Sequence, residues 1–197
     1  MLNLIGNFAG IAVMAIFLQN LVLTQGIGTC EVLKIANTSK GKISFSLIVL
    51  GFTGAASVIT WPLDALMSFD KTEIHARTLV FIGAIGVLYL SVIGVLKIWK
   101  KLAPRAVRKL AYGAFNGVVV AVPFYNSKLP GDFWSALSFG LCAGLGFMLA
   151  LWLVCEGLRR INSIDMPEAF RGLPIAFIYM GILCMAFFAL SGKIYLV

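Results

Sequence analysis

The sequence predicts an all-α membrane protein. Six transmembrane helices would form two inverted three-helix repeats, about residues 1–100 and 101–197, with spans one and four broken near mid-membrane and both termini outside. Three observations carry that expectation. The 197 residues are 60% hydrophobic and only 12% charged, with a mean hydropathy of +0.98, outside the range of ordinary soluble domains. Long apolar runs alternate with short polar connections. Basic residues gather in every second connection.

The first apolar run extends from Leu2 to about Ala36. An unbroken helix of that length would reach ~50 Å, well beyond a ~30 Å hydrocarbon core, so it must break or bend. Asn20 to Glu31 is where the break is expected. Gly26 and Gly28 weaken the helix there, while Asn20, Gln25 and Thr29 can satisfy the backbone groups it releases. Irregular backbone at membrane depth is tolerated only when buried in protein or lining a cavity, and such places commonly hold ions or cofactors. Cys30, at the end of this stretch, is therefore a candidate metal ligand. Its alternative role is that of a small apolar filler.

Asn37 to Lys42 reads as a polar turn, and the second span runs from Ile43 to about Trp61, closed by Trp61-Pro62 at an interface. Leu63 to Arg77 is a mixed-charge connection. The third span covers about Thr78 to Ile98 and leads into a basic block. Span four, roughly Leu110 to Tyr125, is short and contains Gly113-Ala114-Phe115-Asn116-Gly117, a polar interruption in the place that corresponds to the Cys30 stretch. A tight turn at Asn126 to Asp132 follows, with Asp132 suited to cap the fifth span, about Phe133 to Leu158. Arg159 to Glu168 is a polar loop, Pro167 suits a helix start, and the sixth span covers about Leu173 to Leu190.

Loops after the odd-numbered spans hold Lys34, Lys40 and Lys42, then Lys97, Lys100, Lys101, Arg105, Arg108 and Lys109, then Arg159, Arg160 and Arg171. The positive-inside rule places these loops in the cytoplasm. The net charge of +8 is thus a matter of lipid headgroups. Without a continuous basic face interleaved with aromatics, nucleic acid is not an expected partner. The start of the chain lacks the layout of a cleaved signal peptide, so the first segment is expected to stay. Cys30, Cys142, Cys155 and Cys184 have no CxxC spacing, and a disulfide framework is not expected.

Four stretches carry a family likeness: Asn20 through Gly28-Thr29-Cys30; Arg77-Thr78-Leu79-Val80-Phe81-Ile82; Gly144-Leu145-Gly146-Phe147; and, most specifically, Pro167-Glu168-Ala169-Phe170-Arg171-Gly172-Leu173-Pro174-Ile175-Ala176. Over nearly its whole length the chain resembles the six-span membrane subunits shared by the Rnf electron-transport complex and the sodium-pumping NADH:quinone oxidoreductase, of the RnfA/NqrE type. The resemblance implies a bacterial or archaeal inner-membrane subunit that pairs with a homologous subunit of inverted topology (RnfE/NqrD type). Each would give one cysteine from each half to an iron or [2Fe-2S] site, thiolate being the natural ligand. It also implies that electrons pass between cytoplasmic NADH- or ferredoxin-side subunits and flavin-bearing subunits on the other face, coupled to sodium or proton movement.

The chain departs from that pattern in span four. Similar proteins read Thr-Thr-Asn-Cys where this one has Ala114-Phe115-Asn116-Gly117. Cys30 matches the first ligand, and Asn116 and Asn126 match family asparagines, but Gly117 stands where the second cysteine would. Gly28, Asn116 and Gly117 are thus the candidate cofactor-binding positions beside the metal ligand Cys30. The missing thiol leaves open a three-cysteine site completed by another group, a cluster with an exchangeable position, or a scaffold paralogue that has lost its metal. Cys142, within Gly140-Leu141-Cys142-Ala143-Gly144, reads as a packing residue on a small-residue surface, as do Cys155 and Cys184.

His75, between Glu73 and Arg77, is expected in a solvated loop. Glu31 either acts beside the break or reaches the interface to pair with Lys34. Asp64, Asp70, Asp132, Asp165, Glu73, Glu156 and Glu168 fall in loops or at span ends, which gives no buried proton relay. No phosphate loop, zinc-protease, Ser-His-Asp or flavin-attachment motif occurs, so NADH and flavins are expected on partner subunits and no activity from this chain alone. The alternative is a small inverted-repeat membrane transporter or a cofactor-free scaffold.

Overall fold

The computed structural model describes residues 2–36, 41–69, 74–98, 104–128, 132–161, 167 and 170–191, with no strand among them. Helix α1 (Leu2–Val13) runs into a π-helical turn (Met14–Leu18). Irregular backbone follows before α2 (Thr29–Ala36), then α3 (Lys42–Phe69), α4 (Ile74–Ile98), α5 (Pro104–Ala114), α6 (Gly117–Asn126), α7 (Phe133–Ile161) and α8 (Leu173–Ser191). Four of these helices, α3, α4, α7 and α8, are long and apolar enough to cross a membrane. The two other apolar stretches are each divided, the first around residues 19–28 and the second at Phe115 and Asn116. Both interruptions fall where the glycine and asparagine clusters lie.

Helix α7 is the hub, contacting α1, the π turn, α2, α3, α6 and α8. Its closest partner is α3, and small residues set that approach. A Cβ on Gly140 would collide with the Ser57 hydroxyl and the Thr53 carbonyl, and one on Gly144 would lie 2.7 Å from Leu50 Cα. In return, Gly54 receives Leu141, whose Cδ2 would lie 2.9 Å from an added Cβ. In lipid, where apolar tails give helices no hydrophobic reason to pair, such close backbone approach supplies the attraction through packing. Buried hydroxyls on α3 are satisfied within their own helix: Ser57 donates to the Thr53 carbonyl at 3.1 Å and Thr60 to that of Ala56 at 2.7 Å. Asn126 Nδ2 donates to Ser57 Oγ at 3.0 Å, tying the end of α6 to α3.

Helices α4 and α8 sit at the periphery, with Leu79, Val87 and Leu90 on the one and Phe177, Ile182, Met185 and Phe188 on the other left exposed. α8 is seated by Tyr179, whose ring fills the notch at Gly157 and whose hydroxyl reaches the Leu153 carbonyl at 3.4 Å.

Several expected boundaries move, among them the start of span four, where α5 begins at Pro104 and takes Arg105, Arg108 and Lys109 of the expected loop into the helix. The second span does not close at Trp61-Pro62, because α3 continues through Pro62 to Phe69. Proline forfeits one helical hydrogen bond there, and the seven residues from Leu63 to Phe69 keep their helical hydrogen bonding in return. The connection shortens accordingly, and Arg77, now within α4, pairs with Asp64 of α3, Nε to Oδ1 at 3.7 Å. α7 runs past Leu158 to Ile161, supported by Glu156 pairing with Arg159 at 3.8 Å and Arg160 at 3.2 Å one turn on. Pro167 does not start the last helix. Its carbonyl accepts the Phe170 N–H at 3.0 Å in a separate turn, and α8 begins only after Gly172, whose φ of +87° belongs to the left-handed region.

His75 falls in the first turn of α4 and not in a loop, and its side chain lies outside the described set. Lys40, Asp70, Glu73, Lys100, Lys101, Asp165 and Glu168 also lie outside the described residues, as do positions 129–131 of the turn before α7.

Candidate functional site

The first break is built around Asn20, which is only 1% exposed. Its Oδ1 accepts from the N–H groups of Val22 (3.0 Å) and Leu23 (3.2 Å), and its Nδ2 donates to the carbonyls of Ile16 (2.9 Å) and Gly146 (3.0 Å). One side chain thus satisfies four backbone groups. Gly146 is glycine for this reason: a Cβ there would stand 3.0 Å from Asn20 Nδ2 and 3.1 Å from the Ala15 carbonyl.

Further along, the Asn20 carbonyl accepts from the Thr24 N–H and hydroxyl at 2.9 and 2.7 Å. Ile27 N–H reaches the Leu21 carbonyl at 2.8 Å, and the Thr29 hydroxyl reaches the Gly26 carbonyl at 3.1 Å. Gly26 and Gly28 have φ of +68° and +80°, and these two left-handed residues turn the chain into α2.

The second break repeats the device on a smaller scale. Asn116, fully buried, has extended backbone (φ −68°, ψ 139°), and its Oδ1 caps α6 by accepting from Val118 N–H at 2.9 Å. Its Nδ2 is buried without a hydrogen-bond partner among the described residues.

The two breaks meet at their glycines. A Cβ on Gly117 would lie 3.1 Å from Gly28 N and 3.4 Å from Gly28 Cα, and one on Gly28 would lie 2.9 Å from Asn116 Oδ1 and 3.0 Å from Val118 Cγ2. Three of the four positions singled out in the sequence, Gly28, Asn116 and Gly117, therefore form one joint. The fourth, Cys30, stands in the first turn of α2 two residues from Gly28, and its side chain is exposed on the surface of the chain.

The remaining cysteines do not gather there. Cys142 and Cys155 are buried along α7, and Cys184 is half-buried on α8 with its Sγ 4.0 Å from the Val22 carbonyl. All four are free thiols, and no cluster of three or more His, Cys, Asp or Glu side chains occurs among the described residues. The donor set at the joint fits one thiolate given to a site shared with another chain. It does not fit two, because Gly117 has no ligand and a side chain there meets the backbone of Gly28.

Lys34 lies over the Tyr112 ring, 4.7 Å from its centroid, which ties α2 to α5. Sequence reasoning found both breaks from their glycines and asparagines. It missed the bond from Asn20 to Gly146, which joins residues far apart in the chain; the only trace was one more glycine in a stretch that already holds Gly140 and Gly144.

Comparison with known proteins finds relatives over nearly the whole chain. The family described as "Rnf-Nqr subunit, membrane protein" matches residues 8–194. The chain is 29% identical to the A-type subunit of the ion-translocating oxidoreductase complex of Buchnera aphidicola subsp. Baizongia pistaciae, over 91% of this chain and 93% of that one. It is 30% identical to the protein of the same description from Alcanivorax borkumensis, over 93% and 96% of the two chains. The A-type subunit of the proton-translocating ferredoxin:NAD(+) oxidoreductase complex of Clostridium ljungdahlii is 27% identical over 95% and 98%.

Proposed function

The chain belongs to the Rnf-Nqr family of membrane subunits, and on that footing we propose that it passes electrons across the membrane within a redox-driven ion-translocating complex. It is a multi-pass helical membrane protein whose relatives are subunits of ion-translocating oxidoreductase complexes. In the proposed arrangement each divided stretch makes one crossing, α1 with α2 and α5 with α6. Together with α3, α4, α7 and α8 this gives six spans in two inverted repeats, with both termini outside, in a bacterial or archaeal inner membrane.

The observation that carries the reading is the joint itself: two helix breaks, one from each half, packed glycine to glycine with an exposed thiol at the edge. Cys30 would give one thiolate to an iron or [2Fe-2S] site completed by a homologous subunit of inverted topology. Such a centre takes up and gives out one electron at a time. The chain's own contribution is positional. Asn20 and Asn116 fix the two breaks, Gly28 and Gly117 hold them in contact, and the apolar packing around them keeps water from the backbone. NADH and flavins belong to partner subunits, and no activity is expected from this chain alone.

The test is iron analysis with electron paramagnetic resonance on the anaerobically purified complex. Cys30→Ala should lose iron together with transmembrane electron transfer, and full iron with normal turnover in that variant would refute the cysteine's role. A second reading, the cofactor-free scaffold, is favoured by the crowded, ligand-free position of Gly117. A wild-type complex that turns over without iron at this site would establish it.

A further inference from the structure

Away from the joint, a groove of about 810 Å³ lies between the start of α3 and the end of α7. Its walls differ in kind along their length. Ile43 on α3 and Met148 and Trp152 on α7 make an apolar floor, and Lys42, Ser44 and Arg159 make a polar, cationic mouth. On α7 the residues Met148, Trp152 and Arg159 form one stripe, and Arg159 stands two turns, roughly 10 Å, beyond Trp152. Along α7 the groove therefore runs roughly 10 Å from an apolar end to a cationic one.

Ile43 and Trp152 are 68% and 66% exposed, a surface that a membrane helix turns toward acyl chains. Charge at the mouth is positive on balance. Glu156 lies there too, but it is shared by Arg159 and Arg160. Lys42 Nζ spends one donor on the Ala36 carbonyl, at 3.0 Å, and has two more. Lys109 Nζ reaches in from α5, 3.1 Å from where a Cβ on Gly41 would stand. The first turn of α3, whose leading N–H groups have no acceptor inside their own helix, lines the same place with Lys42, Ile43 and Ser44.

We propose that this groove binds an anionic phospholipid, its phosphate held by Lys42 and Arg159 and an acyl chain laid along Ile43, Met148 and Trp152. The occupant is identified by the combination: a soluble anion would use the mouth and leave the floor bare, and a neutral lipid would use the floor and leave the cations unmatched. A basic pocket between membrane helices with an apolar continuation is the arrangement that recognises anionic headgroups. The inference is independent of the iron reading.

The test counts bound lipid by native mass spectrometry. The intact complex is delipidated and equilibrated with micelles containing phosphatidylglycerol or phosphatidylcholine of the same acyl composition. Wild type should retain phosphatidylglycerol preferentially, and Lys42→Gln with Arg159→Gln should weaken that retention about 30-fold, roughly 5-fold per cation. Ile43→Trp, which fills the floor, should weaken retention of phosphatidylglycerol without touching a charge. Excess inorganic phosphate should not displace the lipid.

Equal retention of the two lipids by wild type would overturn the proposal. So would displacement by phosphate alone, or unchanged phosphatidylglycerol retention in the double variant and in Ile43→Trp. Should Lys42→Gln prevent assembly by freeing the Ala36 carbonyl, Arg159→Gln and Ile43→Trp are read by the same criteria.

Discussion

Alanine at Gly28 and at Gly26 separates the cost of a turn from the cost of the joint. Both glycines are left-handed, with φ of +80° and +68°, and an L side chain in that region costs roughly 1–2 kcal/mol. For Gly26 that is the whole expected effect, since nothing lies within 4 Å of its added Cβ. At Gly28 the methyl would lie 2.9 Å from Asn116 Oδ1 and 3.0 Å from Val118 Cγ2. The Asn116 cap must shift, at about 1 kcal/mol, and the Val118 contact must yield, at about 1 kcal/mol more. Gly28→Ala should therefore cost about 3–4 kcal/mol against about 1–2 kcal/mol for Gly26→Ala. Unfolding of the full chain in mixed micelles of mild detergent and dodecyl sulfate, by circular dichroism, measures both. Equal costs for the two variants would refute the claim that the breaks are held together through Gly28.

Other outcomes follow from the same geometry. Asn20→Ala removes four backbone partners where Asn116→Ala removes one; in the same unfolding assay the first should cost about 3 kcal/mol or more and the second about 1 kcal/mol. Gly140→Ala should push α7 off α3 and destabilise by about 1–3 kcal/mol, and Ser57→Ala should recover part of that loss, because the Ser57 hydroxyl occupies the space the new methyl needs. The double-mutant cycle reads this coupling directly. Cys142→Ala, buried along α7, should leave the iron content of the purified complex unchanged while lowering stability by no more than about 1 kcal/mol.

Much of this was legible in the sequence because the membrane makes backbone polarity costly to leave unsatisfied. An asparagine followed by glycines inside an apolar run has few explanations, and both such clusters became breaks. The ends of helices were harder. Pro62 looked like a terminator, yet α3 passes through it, since the one hydrogen bond lost is outweighed by the helical bonding kept from Leu63 to Phe69. Arg159 and Arg160 looked like loop residues, and their ion pairs with Glu156 are helical contacts. Most opaque were long-range matches between small residues and their occupants. Nothing in Gly140 or Gly157 as letters says that one receives Ser57 and the other Tyr179; that depends on helix register, which three-dimensional packing alone decides.

The bond between Asn20 and the Gly146 carbonyl also has a bearing on how the protein is made. The two residues are separated by 126 positions. At typical synthesis rates, α7 emerges on the order of 10 s after the first break. During that interval the amide of Asn20 lacks its distant acceptor, and α1 and α2 lack the helix they pack against. The segment around the first break must wait, at a translocation channel or an interface, for a helix whose acceptor is synthesised 126 residues later. Biogenesis of this protein is thus expected to be late and concerted, with the first break settling only when the hub arrives.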